Sequence, residues 1–442
     1  MENIQMLLVK CTPIVKAGDK VKKGTKIAEP AGFTGANLHS SVYGTVEEVK
    51  EDRIIIKPDE EQPEEYEMIA EDTPLKMVEE AGVIGMGGAG FPTCHKLDID
   101  LRAEGNADGY VLVNASECEP GLRHNIQQIE EDPSKVLKGA EYAKEITNAT
   151  QIIIAIKKKN QKAVKVLQEA IKDKDDVKLH LLADIYPMGE ERAVVRECLG
   201  IELEPDKLPS AAHAIVINSE TCSRVAEAID ERKPSFLKNI TVRGQLVGGN
   251  EAHVFMDVPV GTSVGALIER AGGIDGEYGE IVLGGPFTGR ATELDAPITK
   301  NSGAILVSIP FPDLHGAKMG VLVCACCAGE EREKEVAEKM NAKVISVARC
   351  KQAVEVRPGA PLKCERPGNC PGQVKNNLQF KKDGCEYIII GNCSDCSNTV
   401  MASAPQMGLK VFHLTDHLMR TIGHPLYRHL KVSKEVSQEI DF

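Results

Sequence analysis

The sequence contains no apolar run approaching the roughly 20 residues needed to cross a bilayer, and its longest candidates, Ile152–Ile156 and Gly320–Val323, are strand-sized. Nor does it open on a basic stretch followed by a long apolar segment and a small-residue cleavage site, so no secretory signal is expected and the cytoplasm is the expected compartment. Positive charge is in deficit. The net charge of −13 disfavours nucleic acid as a partner, because neutralising phosphates needs a basic surface. The single basic run, Lys157–Lys159, falls between an expected strand and an expected helix and reads as a solvated helix entry. Internal repeats and low-complexity tracts are missing as well.

Cysteine, by contrast, is abundant. Fourteen of them in a reducing compartment argue against a disulfide framework and for reduced thiols, metal ligation or thiol redox chemistry. Five precede residue 300 and nine fall between Cys324 and Cys396, which marks the last stretch as a separate chemical module. With 442 residues, the chain is too long for one core and should divide into about three or four units.

Four patterns follow one another, and together they predict a multidomain α/β protein. Residues 1–71 carry short β-type runs punctuated by glycine (Val15–Val21, Gly24–Ile27, Ser40–Val46, Ile54–Ile56), as in a small β half-barrel. This segment resembles the half-barrels of lipoyl and biotinyl carrier domains, but Ala31–Asn37 lacks the modifiable lysine, so a structural cap is expected. Residues 72–238 alternate strands (Tyr110–Val113, Ile152–Ile156, Leu181–Asp184, Ala214–Ile217) with amphipathic stretches such as Gln161–Ile171. That alternation predicts a mostly parallel sheet with ligands beyond its carboxyl ends. Residues 239–318 outline a β-grasp module and linker, and residues 319–442 a second, cysteine-rich α/β domain.

The loop Gly85-Met-Gly87-Gly88-Ala-Gly90-Phe-Pro92-Thr93 enters an expected helix. Glycines let the backbone adopt positive φ and approach a ligand, and free amides at a helix start favour an anionic phosphate. The strand Tyr110–Val113 runs into Asn114-Ala-Ser-Glu117-Cys-Glu119-Pro120, which sets polar and acidic groups at a sheet edge suited to a flavin ring or ribose hydroxyls. Together these motifs resemble the flavin-binding subunit of respiratory complex I and the C subunit of the Rnf ferredoxin:NAD oxidoreductase. The segments Tyr186–Arg192, Ile217–Thr221 and Gly284-Gly285-Pro286 agree with that likeness. The resemblance implies FMN held by Gly85, Gly87, Gly88, Lys96, Asn114 and Asn218, with Gly90 and Glu190 completing the set, Glu117 and Glu119 near the ring, and NADH as donor. In two places the chain departs from the Rnf pattern. The acidic turn continues as Gly121-Leu-Arg-His-Asn125 rather than with paired aspartates and an arginine, and the ferredoxin-like cysteine runs are missing.

In the last module, Cys324-Ala-Cys326-Cys327 ends one expected strand, Cys350 another, Cys364 and Cys370 lie in a Pro/Gly loop, and Cys393-Ser-Asp-Cys396 precedes an expected helix. Two chemistries compete. Cys324, Cys350, Cys364 and Cys370 are candidate ligands for an iron-sulfur cluster or zinc, whereas Cys326, Cys327, Cys393 and Cys396 are candidates for dithiol exchange, which a Cys-x-x-Cys at a helix start favours. His413, His417, His424 and His429 are expected at the surface. Over its full length the chain resembles the electron-transfer proteins associated with clostridial D-proline reductase, a family in which selenocysteine occurs, and Cys327 is the candidate for that position. The resemblance implies electron transfer from NADH through FMN to a partner reductase. The alternative is a non-catalytic scaffold with a degenerate flavin fold and a structural zinc.

Overall fold

A computed structural model describes residues 2–105, 107–325, 329–367, 370–391 and 394–424, with the side chains at 104 and 394–398 outside the description. Near the N-terminus, Ile4–Leu7, Arg53–Pro58, Gly44–Val49 and Lys20–Val21 form an antiparallel sheet, in that spatial order, beside a three-stranded sheet of Cys11–Pro13, Lys26–Pro30 and Leu38–His39. The period of two in Arg53–Pro58 buries Ile54 and Ile56 on one face.

A four-stranded parallel sheet follows, ordered Val177–Leu182, Gln151–Lys157, Tyr110–Asn114, Ala214–Asn218. Val111, Leu112 and Val113 are all fully buried because helices cover both faces. Val111 and Val113 join one core and Leu112 the other. On one side the helices Ser134–Ile146 and Ser219–Asp230 meet at Gly139, where a Cβ would sit 1.7 Å from the Cys222 carbonyl oxygen, so only glycine allows the approach. In sequence terms the strand order is third, second, first, fourth, so the connection reverses between Tyr110–Asn114 and Ala214–Asn218.

The next sheet has five strands in the order His253–Pro259, Leu237–Gly244, Ala304–Val307, Ile281–Leu283, Arg290–Thr292, with Leu237–Gly244 and Ala304–Val307 parallel. Its helix Val264–Arg270 starts on Ser263, whose hydroxyl accepts from the Ala266 amide (3.1 Å). A second parallel sheet, ordered Lys343–Arg349, Lys318–Val323, Tyr387–Ile390, Lys410–His413, closes the described chain. Here the reversal lies between Lys318–Val323 and Tyr387–Ile390. The protein is a mixed α/β fold of several sheets, and among the described residues no helix is long and apolar enough to cross a membrane.

Three expectations need correction. The strand expected at Leu181–Asp184 runs Val177–Leu182, with Leu181 exposed. Lys157 is not a solvated helix entry: it ends a buried strand and meets Asp184 (3.0 Å), which also binds Lys159 (2.8 Å). Burial pushes the Asp184 carboxyl up, but the two lysines outweigh it and bring its pKa to about 2. His413 and His417 are buried, not superficial. His417 Nε2 lies 2.7 Å from Glu280, a carboxylate that also binds Arg332 and Lys339 and so ties the last helices to the five-stranded sheet. His429 lies outside the described residues.

Lys300 joins three regions. Buried, it donates to the carbonyls of Asn37 (2.7 Å) and Gly82 (2.8 Å), and burial lowers its pKa to about 8. Between that value and the ordinary lysine range the unfolded chain binds more protons than the folded one, so this group makes stability rise with pH. Replacing Lys300 with Met should cost about 1–3 kcal/mol at pH 7 by leaving two carbonyls unpaired. The gap between wild type and variant should then widen from pH 8 to pH 10. Denaturant midpoints measured across that range test both effects.

Candidate functional site

Where the first parallel sheet reverses, Asn114 and Asn218 face each other in register at the carboxyl ends of neighbouring strands. At such a reversal ligands bind in the crevice beyond the carboxyl ends of the strands. Asn218 caps the helix Ser219–Asp230, its Oδ1 accepting from the amides of Glu220 (2.9 Å) and Thr221 (3.3 Å). Asn114 donates to the Gly189 carbonyl (2.9 Å) while its Oδ1 accepts from the Ser116 hydroxyl (2.7 Å).

The glycine loop folds over this crevice. Gly85 N–H donates to Phe91 O (2.9 Å) and Gly90 N–H to Gly85 O (3.1 Å), closing the loop on itself. Met86 N–H donates to the Thr221 hydroxyl (2.9 Å), and Asn301, far along the chain, donates to Gly88 O (2.9 Å). A Cβ at Gly87 would lie 3.2 Å from the Asn218 amide nitrogen. Gly88, at φ +108°, meets no atom of the described residues within 4 Å on its Cβ side, and Gly90 has φ +64°. Gly85 is under no such steric demand. Lys96 reaches back to Val216 O (2.8 Å) and Glu191 Oε1 (2.5 Å). A loop with an open backbone face, paired amide side chains at a switch point and a nearby ammonium fit an anionic phosphate and the polar edge of a flavin ring.

The acidic turn is more committed than the sequence implied. Glu117, at φ +41°, accepts from the Asn125 amide (2.9 Å). Glu119 accepts from the amides of Phe287 (2.8 Å) and Thr288 (3.0 Å) and from the Thr288 hydroxyl (2.6 Å). Burial pushes the Glu119 carboxyl up against these bonds. A Cβ on Gly285 would come within 2.3 Å of the Glu119 carboxyl, which explains the glycine there. Glu119 therefore anchors the Gly284–Thr288 loop, whose Phe287 ring stacks on Tyr186 (3.6 Å, 8°). Glu190 starts the helix Glu191–Leu199, accepting from Ala193 N–H (3.0 Å) and pairing with Arg192 (3.1 Å). Between the two glutamates, Cys118 accepts from Gly189 N–H (3.3 Å), and burial lifts its thiol pKa to about 11, so it stays protonated.

Thr221, Asn301 and the Tyr186–Phe287 stack join the site beyond the residues that the sequence motifs mark as ligands. Thr221 was findable as the third residue after a capping asparagine. Nothing local points to Asn301, which acts across 213 residues.

The second reversal gathers sulfur. Cys324, Cys364 and Cys370 pack around one core with Leu322 and Phe380. Cys350 accepts from Gln373 Nε2 (3.2 Å), and that same nitrogen lies 3.8 Å from Cys370 Sγ, itself 3.1 Å from the Thr399 hydroxyl. Between the two strand ends lies Glu333, fully buried. Its Oε1 accepts from Gly391 N–H (3.0 Å), its Oε2 has no partner among the described residues, and burial, then Cys324, push its carboxyl well above the usual range. Cys326, Cys327 and Cys393 lie outside the described residues, and Cys396 sits in the helix Ser394–Ser403 with its side chain outside them. Among the described residues no three His, Cys, Asp or Glu side chains are arranged to hold a metal ion.

Residues 78–227 match the model of the Nuo51 FMN-binding domain, and residues 5–65 that of the RnfC barrel sandwich hybrid domain. The C subunit of the Na+-translocating ferredoxin:NAD+ oxidoreductase complex of Acetobacterium woodii is 28% identical over 72% of this chain and 75% of its own length. Cobalamin reductase PduS of Salmonella typhimurium is 32% identical over 54% of this chain and 50% of its own. An NAD+-reducing NiFe hydrogenase chain aligns at 21% identity and a TM-score of 0.46, over 53% of this chain and 46% of its own. The chain is RnfC-like and carries a Nuo51-type FMN-binding domain, a flavin-binding oxidoreductase or electron-transfer protein related to RnfC and to cobalamin reductase.

Proposed function

We propose that this chain carries electrons from NADH, through FMN at the Asn114–Asn218 crevice, to the thiols at the second reversal and on to a partner reductase, with D-proline reductase as the partner the sequence resemblance favours. The observation that carries the flavin half is the open Cβ side of Gly88 in a loop whose Gly87 packs on Asn218, the register partner of Asn114. When bound, FMN supplies two-electron acceptance from a nicotinamide and onward electron release. The chain's own residues do the rest. The amides of the glycine loop would hold a phosphate, with Lys96, which reaches Glu191 and Val216 O, as the nearby ammonium; Asn114 and Asn218 stand in register at the strand ends, and Glu119 fixes the loop whose Phe287 stacks on Tyr186. At the sulfur end, the paired approach of Cys350 and Cys370 to Gln373, with buried Glu333 near Cys324 and its carboxyl pushed up by burial, supports thiol exchange.

Three outcomes test this reading. In Gly88→Val the positive φ becomes strained and the open face fills, while no neighbouring protein atom is displaced. Flavin affinity should therefore fall by at least about tenfold in a protein that still melts cooperatively. Fluorescence titration with FMN measures this, and wild-type affinity would sink the site. Anaerobic NADH should bleach the flavin bands of the loaded wild type without any partner; bleaching by reduced ferredoxin alone would replace NADH as donor. In Cys393→Ser/Cys396→Ser, NADH should still reduce the flavin while delivery to the reductase drops by about a hundredfold or more, since serine lacks accessible thiolate chemistry. Undiminished delivery would shift the exit to Cys324–Cys327.

A further inference from the structure

The helix Glu191–Leu199 has two attachments. Its N-terminal end belongs to the flavin crevice: Gly189 accepts from Asn114, Glu191 binds Lys96, and Glu190 caps the first turn. Its body faces the cysteine-rich region. Arg192, buried, donates from its NH2 group to Cys364 O (2.7 Å) while its Nε holds Glu190 (3.1 Å). One turn on, Arg196 donates to Pro367 O (2.9 Å). Two outer contacts continue the seam, Lys363 to Pro205 O (3.1 Å) and Arg366 to Glu202 (3.3 Å). Every residue of Lys363–Pro367 except Glu365 is thus held by the flavin-side region through a side chain or carbonyl, and Glu365 N–H is bonded to Gln352 O. Two arginines aimed at main-chain carbonyls of one loop make a fixed joint rather than a tether, because a planar guanidinium holds direction as well as distance.

We propose that Arg192 and Arg196 are positioning residues for electron transfer within the chain: they fix the Cys364 loop, which leads into Cys370, against the helix that lines the flavin crevice. The claim rests on the flavin-to-thiol reading above. In that relay one sulfur–sulfur bond breaks and two thiols form. The two electrons and two protons they take up would be supplied by reduced FMN when it is bound, and the partner reductase would later reoxidise the dithiol. A fixed seam keeps this step unimolecular.

The test uses the full FMN-loaded chain and the double variant Arg196→Met/Lys363→Met, which removes two seam contacts that do not touch the flavin crevice. Two readouts are taken. In the absence of flavin, alkylation of the buried Cys364 by iodoacetamide should speed up by at least about tenfold, the scale of losing even one of the two charge-assisted hydrogen bonds removed. In the loaded protein, thiols should form after flavin reduction about tenfold more slowly, with flavin content and the rate of flavin reduction as in wild type. Arg196→Lys alone, which keeps a charged donor for Pro367 O but not the planar fork, should fall between wild type and the double variant on both readouts. Faster alkylation with an unchanged rate of thiol formation would show a joint that does not position the relay, and unchanged alkylation would show no joint; either overturns the inference. If wild type forms no thiols at all on flavin reduction, the flavin-to-thiol reading fails first and takes the positioning role with it, while the alkylation result still reports the seam.

Discussion

The in-register pairing of Tyr110–Asn114 with Ala214–Asn218 is the constraint on which the flavin half depends. Both strands end at the same level, so the two asparagines stand side by side at the carboxyl edge, Asn114 followed by the turn to Glu119 and Asn218 by the helix Ser219–Asp230. Everything that lines the crevice is referred to that pair. The glycine loop is spaced by Gly87 against Asn218, the segment before Glu190 by Gly189 against Asn114, and Lys96 by the Val216 carbonyl two residues before Asn218. Slipping the pairing by one residue would turn the asparagine of the slipped strand to the opposite face and part the pair.

Around this edge the protein buries charge freely. Glu220, just past Asn218, is fully buried and binds Lys238, also fully buried, and accepts from the Asn239 amide (2.8 Å). Arg224, one turn on, joins Glu227 (2.8 Å) and Asp257 (3.0 Å). A buried ion pair adds little over an apolar core of the same volume, but breaking it strands a charge, so such pairs resist sliding between layers. Here they lock the flavin sheet to the five-stranded sheet, the same sheet that sends Asn301 to the glycine loop and Phe287 to Glu119. Glu280, with His417, Arg332 and Lys339, does the same between that sheet and the cysteine-rich region.

The two parallel sheets solve one problem twice. Each has a reversal of strand order, one presenting amides and carboxamides suited to a phosphate-bearing ring, the other presenting thiols and the buried carboxyl of Glu333. The helix Glu191–Leu199 spans between them, so the chemistry at one reversal is mechanically referred to the other through Arg192 and Arg196.

Much of this was legible in the sequence wherever a requirement is local. The alternation of Val111–Val113 with amphipathic helices specifies a parallel sheet, the clustered glycines specify a loop with positive φ at Gly88 and Gly90, and the Cys spacing marks a separate sulfur module. These follow from the backbone freedom and burial of a few neighbouring residues. What the sequence could not carry were relations across long stretches of chain. Lys157 and His417 are polar residues that read as surface groups until Asp184 and Glu280 come to meet them. Glu119 reads as a ligand-facing carboxylate until the amides of Phe287 and Thr288 occupy it. The sequence alone determined which backbone segments could approach a phosphate and where the sulfur lies, since glycine and cysteine act through their own covalent chemistry. Only the tertiary structure decided which charges are buried and which side chains remain free, because a charge is set by partners that packing brings from elsewhere in the chain.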